Sequence, residues 1–461
     1  MPALAWRRGG AHTRTMSMTG ESATPPRYRV ARVAAAVVAA GTLTACGAVA
    51  SGTPARGGAP AKAGPCGGGS TGSAGPTPLT RQPPPGSLIV GGELAAVAAV
   101  SASNVWAAGT TDLTNPVTMH WDGRAWTQVL TPAGDHPDSS PGSFSALAVV
   151  SGRDAWAVGV AAGQALVEHW DGRAWSRTPS PRPAGTGGGV FLNGVAAVSA
   201  SDVWAVGGTN GDNSVIMHWN GATWTLVPSP RPAGTGAEPV ISSTLYSVAA
   251  SSAHDVWAVG ETVTQAAGAG TRPLIEHWNG TAWTLVPSPA IRSGGTLQGV
   301  SAASPGSAWA VGGRGGGGGL IEHWNGRSWT VVFTPDLTGP GELHAVAALS
   351  ASSAWAVGGF VCMGQGPITV TERWNGQSWT RVPSPALGAL TGVTATSPDS
   401  AWAVGSWSGG PAAIIEHWDG TAWTWPKGFC ASPSGPGCYP PGTSSSTPVP
   451  SNTNIVPSAS S

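Results

Sequence analysis

Lysine is nearly missing from this chain: Lys62 and Lys427 are the only two in 461 residues. Tyrosine and phenylalanine are almost as scarce, at 3 and 5. Net charge is also absent, with 22 basic residues against 22 acidic ones. Without a positive field the chain is not built to hold nucleic acid or to lie on an anionic membrane by charge. Five cysteines are present, none in a Cys-x-x-Cys pair, which argues against a structural zinc or a dithiol redox site. No apolar run reaches the ~20 residues of a membrane-spanning helix. No segment repeats its apolar residues with helical spacing, so the chain reads as all-β.

Glycine (69), proline (41) and above all tryptophan (24) are plentiful. Tryptophan is ordinarily the rarest aromatic, and such an excess points to repetition. The repeats account for it. A leading Trp recurs at Trp106, Trp156, Trp204, Trp257, Trp309, Trp355 and Trp402. A middle one recurs at Trp121, Trp170, Trp219, Trp278, Trp324, Trp374 and Trp418, and a last one at Trp126, Trp175, Trp224, Trp283, Trp329, Trp379 and Trp423. Three in each of seven copies make 21 of the 24. Each copy reads as four short strands bounded by Ser/Asp, Gly, Asn-Gly or Pro-Ser-Pro, and Asp/Asn-Gly joins the third strand to the fourth. A four-stranded repeat of this length is one propeller blade. One blade cannot bury both faces, whereas a ring of seven can. The expected fold is therefore all-β: a single seven-bladed β-propeller of four-stranded antiparallel blades. A four-bladed and a three-bladed pair is the alternative, and no linker interrupts the series to favour it.

The regions outside the repeats have their own chemistry. Arg27, Arg29 and Arg32 precede a short apolar stretch from Val33 to Ala40, as in a signal peptide. Next comes Leu43-Thr44-Ala45-Cys46, which resembles the lipobox of bacterial lipoproteins. That resemblance implies that Cys46 carries the lipid and starts the mature chain. The expected organisation is a signal peptide over 1–45, a lipidated Cys and Gly/Pro/Ser-rich linker over 46–87, the propeller over 88–427, and a Ser/Pro-rich tail over 428–461. Linker and tail lack the apolar content to fold. The expected location is extracytoplasmic: lipid-anchored on the outer face of the cell membrane, or secreted. Cys66, Cys362, Cys430 and Cys438 are then disulfide candidates in any of three pairings.

At Glu-His-Trp-Asn-Gly-x-x-Trp the repeat resembles kelch and galactose-oxidase-type propellers. It also resembles the Asp-box repeats of sialidase-like propellers, as at Asp122-Gly123-Arg124-Ala125-Trp126 and Asp419-Gly420-Thr421-Ala422-Trp423. The first resemblance implies a copper held by Tyr and His. With Tyr246 the only tyrosine among the repeats, that site cannot be assembled, and no cofactor or metal is expected. The second implies three Arg, a Tyr with its Glu, and an Asp; Tyr246 near Glu238 is a partial match.

The repeated His and Glu stand once per blade, so a ring spreads them apart and makes them structural. A functional site needs asymmetry. In a four-stranded blade the first-to-second and third-to-fourth turns share one face, and here they are uniform. The other connections share the opposite face and vary, at 131–143, 179–189, 228–243, 261–273, 312–319 and 358–367. Binding residues concentrate on loops held by a rigid scaffold. The ligand-binding candidates on that face are Arg182, Arg231, Glu238, Tyr246, Arg272, Arg314 and Trp407, with His136 and Phe360 beside them. No catalytic set is complete. The reading is a monomeric, non-catalytic binding or scaffolding module for a cell-wall glycan, a small ligand or another exported protein. It touches the membrane only through its anchor and binds no nucleic acid. The alternative is a carbohydrate-active hydrolase or lyase, which would need carboxylates to converge at the variable face, Glu261 among them.

Overall fold

The computed structural model describes residues 92–426 and the pairs 88–89 and 429–430. Segments 112–114, 134–141, 185–188, 211–212, 235–238, 266–269, 334–340, 363–365, 387 and 408–411 fall outside that description. Cys46, Cys66, Cys438, His136 and Glu238 lie outside the described residues as well.

Seven four-stranded antiparallel sheets follow one another, each in simple up-and-down order. The fourth blade shows the plan: Val240–Ser252, Asp255–Thr264, Thr271–Trp278 and Trp283–Leu285. First strands of successive blades lie against each other around the centre. That of the first blade, Glu93–Ser101, lies against that of the seventh, Gly388–Ser397, which closes the ring.

The closing junction repeats the internal ones. Thr391 Oγ1 donates to Leu94 O at 2.7 Å, and Asn193 Nδ2 donates to Leu245 O at 2.9 Å between the third and fourth blades. Trp402 of the last blade meets Trp126 of the first edge-on at 5.4 Å and 82°, much as Trp204 meets Trp283 at 5.3 Å and 80°. The ring thus closes by simple apposition of the first and last blades. A strand near 87–91 does not join the last blade: Leu88–Ile89 pairs in parallel with Phe429–Cys430 in a separate two-stranded sheet. Every blade begins and ends on the variable face, so both ends of the ring leave from that side.

The repeat residues build the junctions. The leading Trp of each blade is at most 2 % exposed. Trp204 stacks on His218 of its own blade at 4.3 Å and on Trp278 of the next at 4.8 Å. Such pairs add about 0.5–1.5 kcal/mol each beyond area burial. The repeated histidines are held within their blades. His218 Nε2 meets Asp202 Oδ1 at 2.8 Å and His277 meets Asp255 at 2.7 Å; Asn104 and Ser307 serve His120 and His323. Where the sixth blade has Arg373 instead, its guanidinium lies 5.4 Å from both the Trp355 and Trp418 rings. The third-to-fourth turn uses a side-chain cap: Asn279 Oδ1 accepts from the Thr281 and Ala282 amides at 3.0 and 3.1 Å, and Gly280 takes φ +93°.

Candidate functional site

Each first strand breaks its ladder at an equivalent inner point, besides the shift at its turn into the second strand. The register shifts directly after a buried Leu or Phe: Leu94/Ala96, Phe144/Ala146, Leu192/Gly194, Leu245/Ser247, Leu297/Gly299, Leu343/Ala345 and Leu390/Gly392. The bulge itself is seven-fold. The residue it carries is not: Ala95, Ser145, Asn193, Tyr246, Gln298, His344 and Thr391 are seven different side chains, all half-buried. Bulges re-aim a side chain and recur at barrel rims and beside active sites. The residues just before the buried Leu or Phe vary almost as much, as Glu93, Ser143, Phe191, Thr244, Thr296, Glu342 and Ala389. These fourteen positions sit on the innermost strands, which lie against one another around the centre of the ring. None is Lys or Arg.

One sector of this ring gathers acid groups. The Tyr246 hydroxyl donates to Glu261 Oε1 at 2.8 Å. Glu261 sits on the second strand of the same blade, beside the opening of the channel on the variable face. Glu342 enters from the sixth blade. It lies over Gly313 of the fifth, where a Cβ would stand 2.6 Å from Glu342 Cγ, so a glycine there leaves the carboxyl room to lean toward the fourth blade. Burial pushes the Glu342 carboxyl above the usual carboxylate range, and the charge of Glu261 pushes it further. Burial also raises Glu261, while the Tyr246 hydrogen bond pulls it back down. Tyr246 is raised by burial first and then by Glu261 and Glu342. No arginine is among the charges these three groups feel. Elsewhere on the ring, burial raises Glu93 and holds the His344 imidazole down at about 4, so it is neutral at pH 7. Two raised carboxyls, a phenol and nearby amides form a surface that exchanges hydrogen bonds with hydroxyl, amide or ammonium groups.

The loop-based expectation is corrected in several places. Tyr246 belongs to the bulge of an inner strand, not to a connection. Phe360 is 1 % exposed and packs in a blade core, so it is no ligand contact. Trp407 is half-buried against the cores on both sides of the seventh blade, which makes it packing. Arg182 follows the second blade, and its guanidinium donates to Gln164 Oε1. Arg231 is exposed after the third blade, and Arg272 is exposed on the third strand of the fourth. Arg314 ends the second strand of the fifth, where its amide bonds Gly318 O at 3.0 Å in a tight hairpin. The described candidates are thus spread around the ring, apart from Tyr246 and Arg272 on the fourth blade, and Tyr246 is the one that bonds an acid group. Glu342 and His344 were not anticipated. The signal was available: aligning the seven copies shows which inner-strand columns share no residue.

Cys362 and Cys430 lie at strand ends, at Ser353–Cys362 and Phe429–Cys430. On the regular face a surface cleft is lined by Arg153, Asp171, Gly172 and Arg173, at turns that every blade repeats. Among the described residues, no three of His, Cys, Asp and Glu gather as metal ligands.

No protein-family model matches the chain, and no curated protein matches it in sequence. Solved propellers resemble it in shape. YCF48 bound to a D1 peptide is 16% identical over 74% of this chain and 99% of that one, with a TM-score of 0.47. A GH74 xyloglucanase from Xanthomonas campestris is 16% identical over 72% of this chain and 53% of its own, with a TM-score of 0.48. A fucose-binding lectin of Aleuria aurantia is 11% identical over 74% and 96%, with a TM-score of 0.41. The class, a β-propeller, follows from the seven four-stranded sheets of this chain, and these likenesses add no function to it.

Proposed function

We propose that the chain is an exported, membrane-anchored propeller that acts as a non-catalytic binding or scaffolding module, taking a cell-wall glycan, a small ligand or an exported protein at the variable end of its channel. One observation carries this reading. Symmetry rules the blade junctions and fails on the inner strands, where Tyr246 bonds Glu261 and Glu342 lies within reach of their charge. Repeated residues hold the ring, and unrepeated ones are free to be selected for a ligand. Export and anchoring rest on the basic and apolar leader and on Cys46 at the lipobox-like position. The Asp/Asn-Gly turn with its following Trp supports a kelch-like or Asp-box-like repeat. The test is a screen of cell-wall glycan fragments and exported-protein peptides against the wild type and Glu342→Gln. Ligands bound by the wild type and lost in the variant support the module; binding indifferent to the channel overturns it.

A second reading, a carbohydrate-active hydrolase, is favoured by the mutual influence of Glu261 and Glu342. A raised carboxyl is a general acid in waiting, and a second carboxylate supplies the base or nucleophile. Release of reducing ends from cell-wall polysaccharide, abolished by either Glu→Gln change, would select it over pure binding.

A further inference from the structure

The third strands of five blades bury a glutamate completely: Glu168, Glu276, Glu322, Glu372 and Glu416 are each 0 % exposed. Four of them take partners from the blade before. Ser229 Oγ, in the segment leaving the third blade, donates to Glu276, with its two oxygens at 2.9 and 3.2 Å. Ser384, leaving the sixth, sits 2.9 Å from both oxygens of Glu416. Ser288, leaving the fourth, reaches Glu322 at 2.8 Å, and the Ala133 amide, after the first, reaches Glu168 at 2.9 Å. In the first and third blades the same position is Met119 and Met217, also fully buried.

These carboxyls have few charges to answer them. Across the sheet, Glu276 faces Ala258 and Leu285, and Glu322 faces Ala310 and Val331. Glu416 faces Ala403 and takes the Ala386 amide. Glu168 faces Arg177, whose charge lowers it without offsetting its burial. Glu372 faces Arg381, whose guanidinium bonds Thr369 O at 2.9 Å. Arg231 and Arg292, on the segments that bring Ser229 and Ser288, are exposed. His277 and His323, next along the strands, are turned to Asp255 and Ser307. A hydroxyl satisfies a neutral carboxyl well, but it cannot repay the burial of a charge.

We propose that Glu168, Glu276, Glu322 and Glu416 are proton-operated latches at four blade junctions: neutral, they stay buried against the blade before, and ionised, their uncompensated burial loosens those junctions. Burial pushes Glu276 up to about 8 and Glu168, Glu322 and Glu416 up to about 7, against an ordinary 4.5. The folded chain therefore binds these protons more tightly than the unfolded one. Their stabilisation is complete below about pH 4.5 and is lost as pH rises toward 7–8. His120, His323, His344 and His417 act the other way, since burial lowers each below 6.5; their effect ends by about that pH. The window from pH 6.5 to 8.5 thus reports raised carboxyls, Glu93, Glu261 and Glu342 among them, and the triple variant separates the junction glutamates from those.

The experiment is thermal unfolding of the full chain at pH 6.5 and 8.5, for the wild type and for the triple variant Glu276→Gln, Glu322→Gln, Glu416→Gln. The wild type should lose several degrees of Tm between the two pH values, and the variant should lose clearly less. A wild-type Tm that holds or rises, or a variant that falls as steeply, overturns the latch. Should the variant not fold, infrared difference spectra of the wild type over the same interval decide the matter. A protonated-carboxyl band that disappears toward pH 8.5 supports it, and its absence at pH 6.5 refutes it.

Discussion

The Tyr246 hydroxyl and Glu261 Oε1 stand 2.8 Å apart, a bulge residue of an inner strand joined to the strand beside it at the variable end of the channel. No other blade can form this pair. The residues aligned with Tyr246 are Ala, Ser, Asn, Gln, His and Thr, and Glu261 is the only acid at its own position in the repeat. The hydrogen bond holds Glu261 down against the effect of burial. Tyr246→Phe should therefore move the Glu261 titration to higher pH, as read by carboxyl carbon NMR, at a stability cost of about 1 kcal/mol. A titration that stays in place would show that the bond does not form in solution.

Gly313 provides the space for Glu342. In Gly313→Val the new side chain would occupy the place where the Glu342 carboxyl lies, 2.6 Å from Cγ at its first atom. Glu342 must then be displaced and lose the smaller part of its upward shift, that from the charge of Glu261, while burial, the larger cause, remains. Its titration should fall toward the ordinary carboxylate range, with Trp circular dichroism unchanged. An unaltered Glu342 would mean the two carboxyls are independent.

The leading tryptophans carry the ring. Trp204 is 2 % exposed and touches His218, Trp278 and Trp283. Trp204→Ala should cost about 3–5 kcal/mol, as large-to-small core changes do. Denaturant unfolding checks it, and a midpoint within error of wild type would remove the Trp from the core.

Cys46→Ala should shift the protein from the membrane fraction to the soluble exported one. Retention in the membrane fraction would sink the lipid anchor while leaving the propeller untouched.

The repeat was legible because its chemistry is redundant: three Trp per copy, an Asp/Asn-Gly hairpin and a closing Pro recur seven times. Those residues act locally or on the next blade, so spacing alone reveals them. The channel site depends on what spacing does not state. Tyr246 looked like a loop residue because the longest inner strand, Val240–Ser252, extends into a segment that composition marks as a connection. Glu342 feels the charge of Glu261 across an intervening blade, and the missing side chain at Gly313 is what leaves it room. The buried glutamates read as ordinary polar residues in Leu-Ile-Glu-His-Trp, since the serine partners of Glu276, Glu322 and Glu416 lie 32–47 residues away in the preceding copy.

The central claim is that function resides where the seven copies differ. Its most direct test is ligand binding to immobilised full-length protein. Wild type is compared with Glu261→Gln/Glu342→Gln at the channel and with Asp171→Asn/Arg173→Gln on the regular face. The probes are cell-wall glycan fragments and exported-protein peptides. The account predicts affinity lost by about tenfold or more in the channel variant, some 1.4 kcal/mol, and kept in the regular-face variant. Affinity kept in the channel variant and lost in the other would contradict it and move the site to the repeated turns.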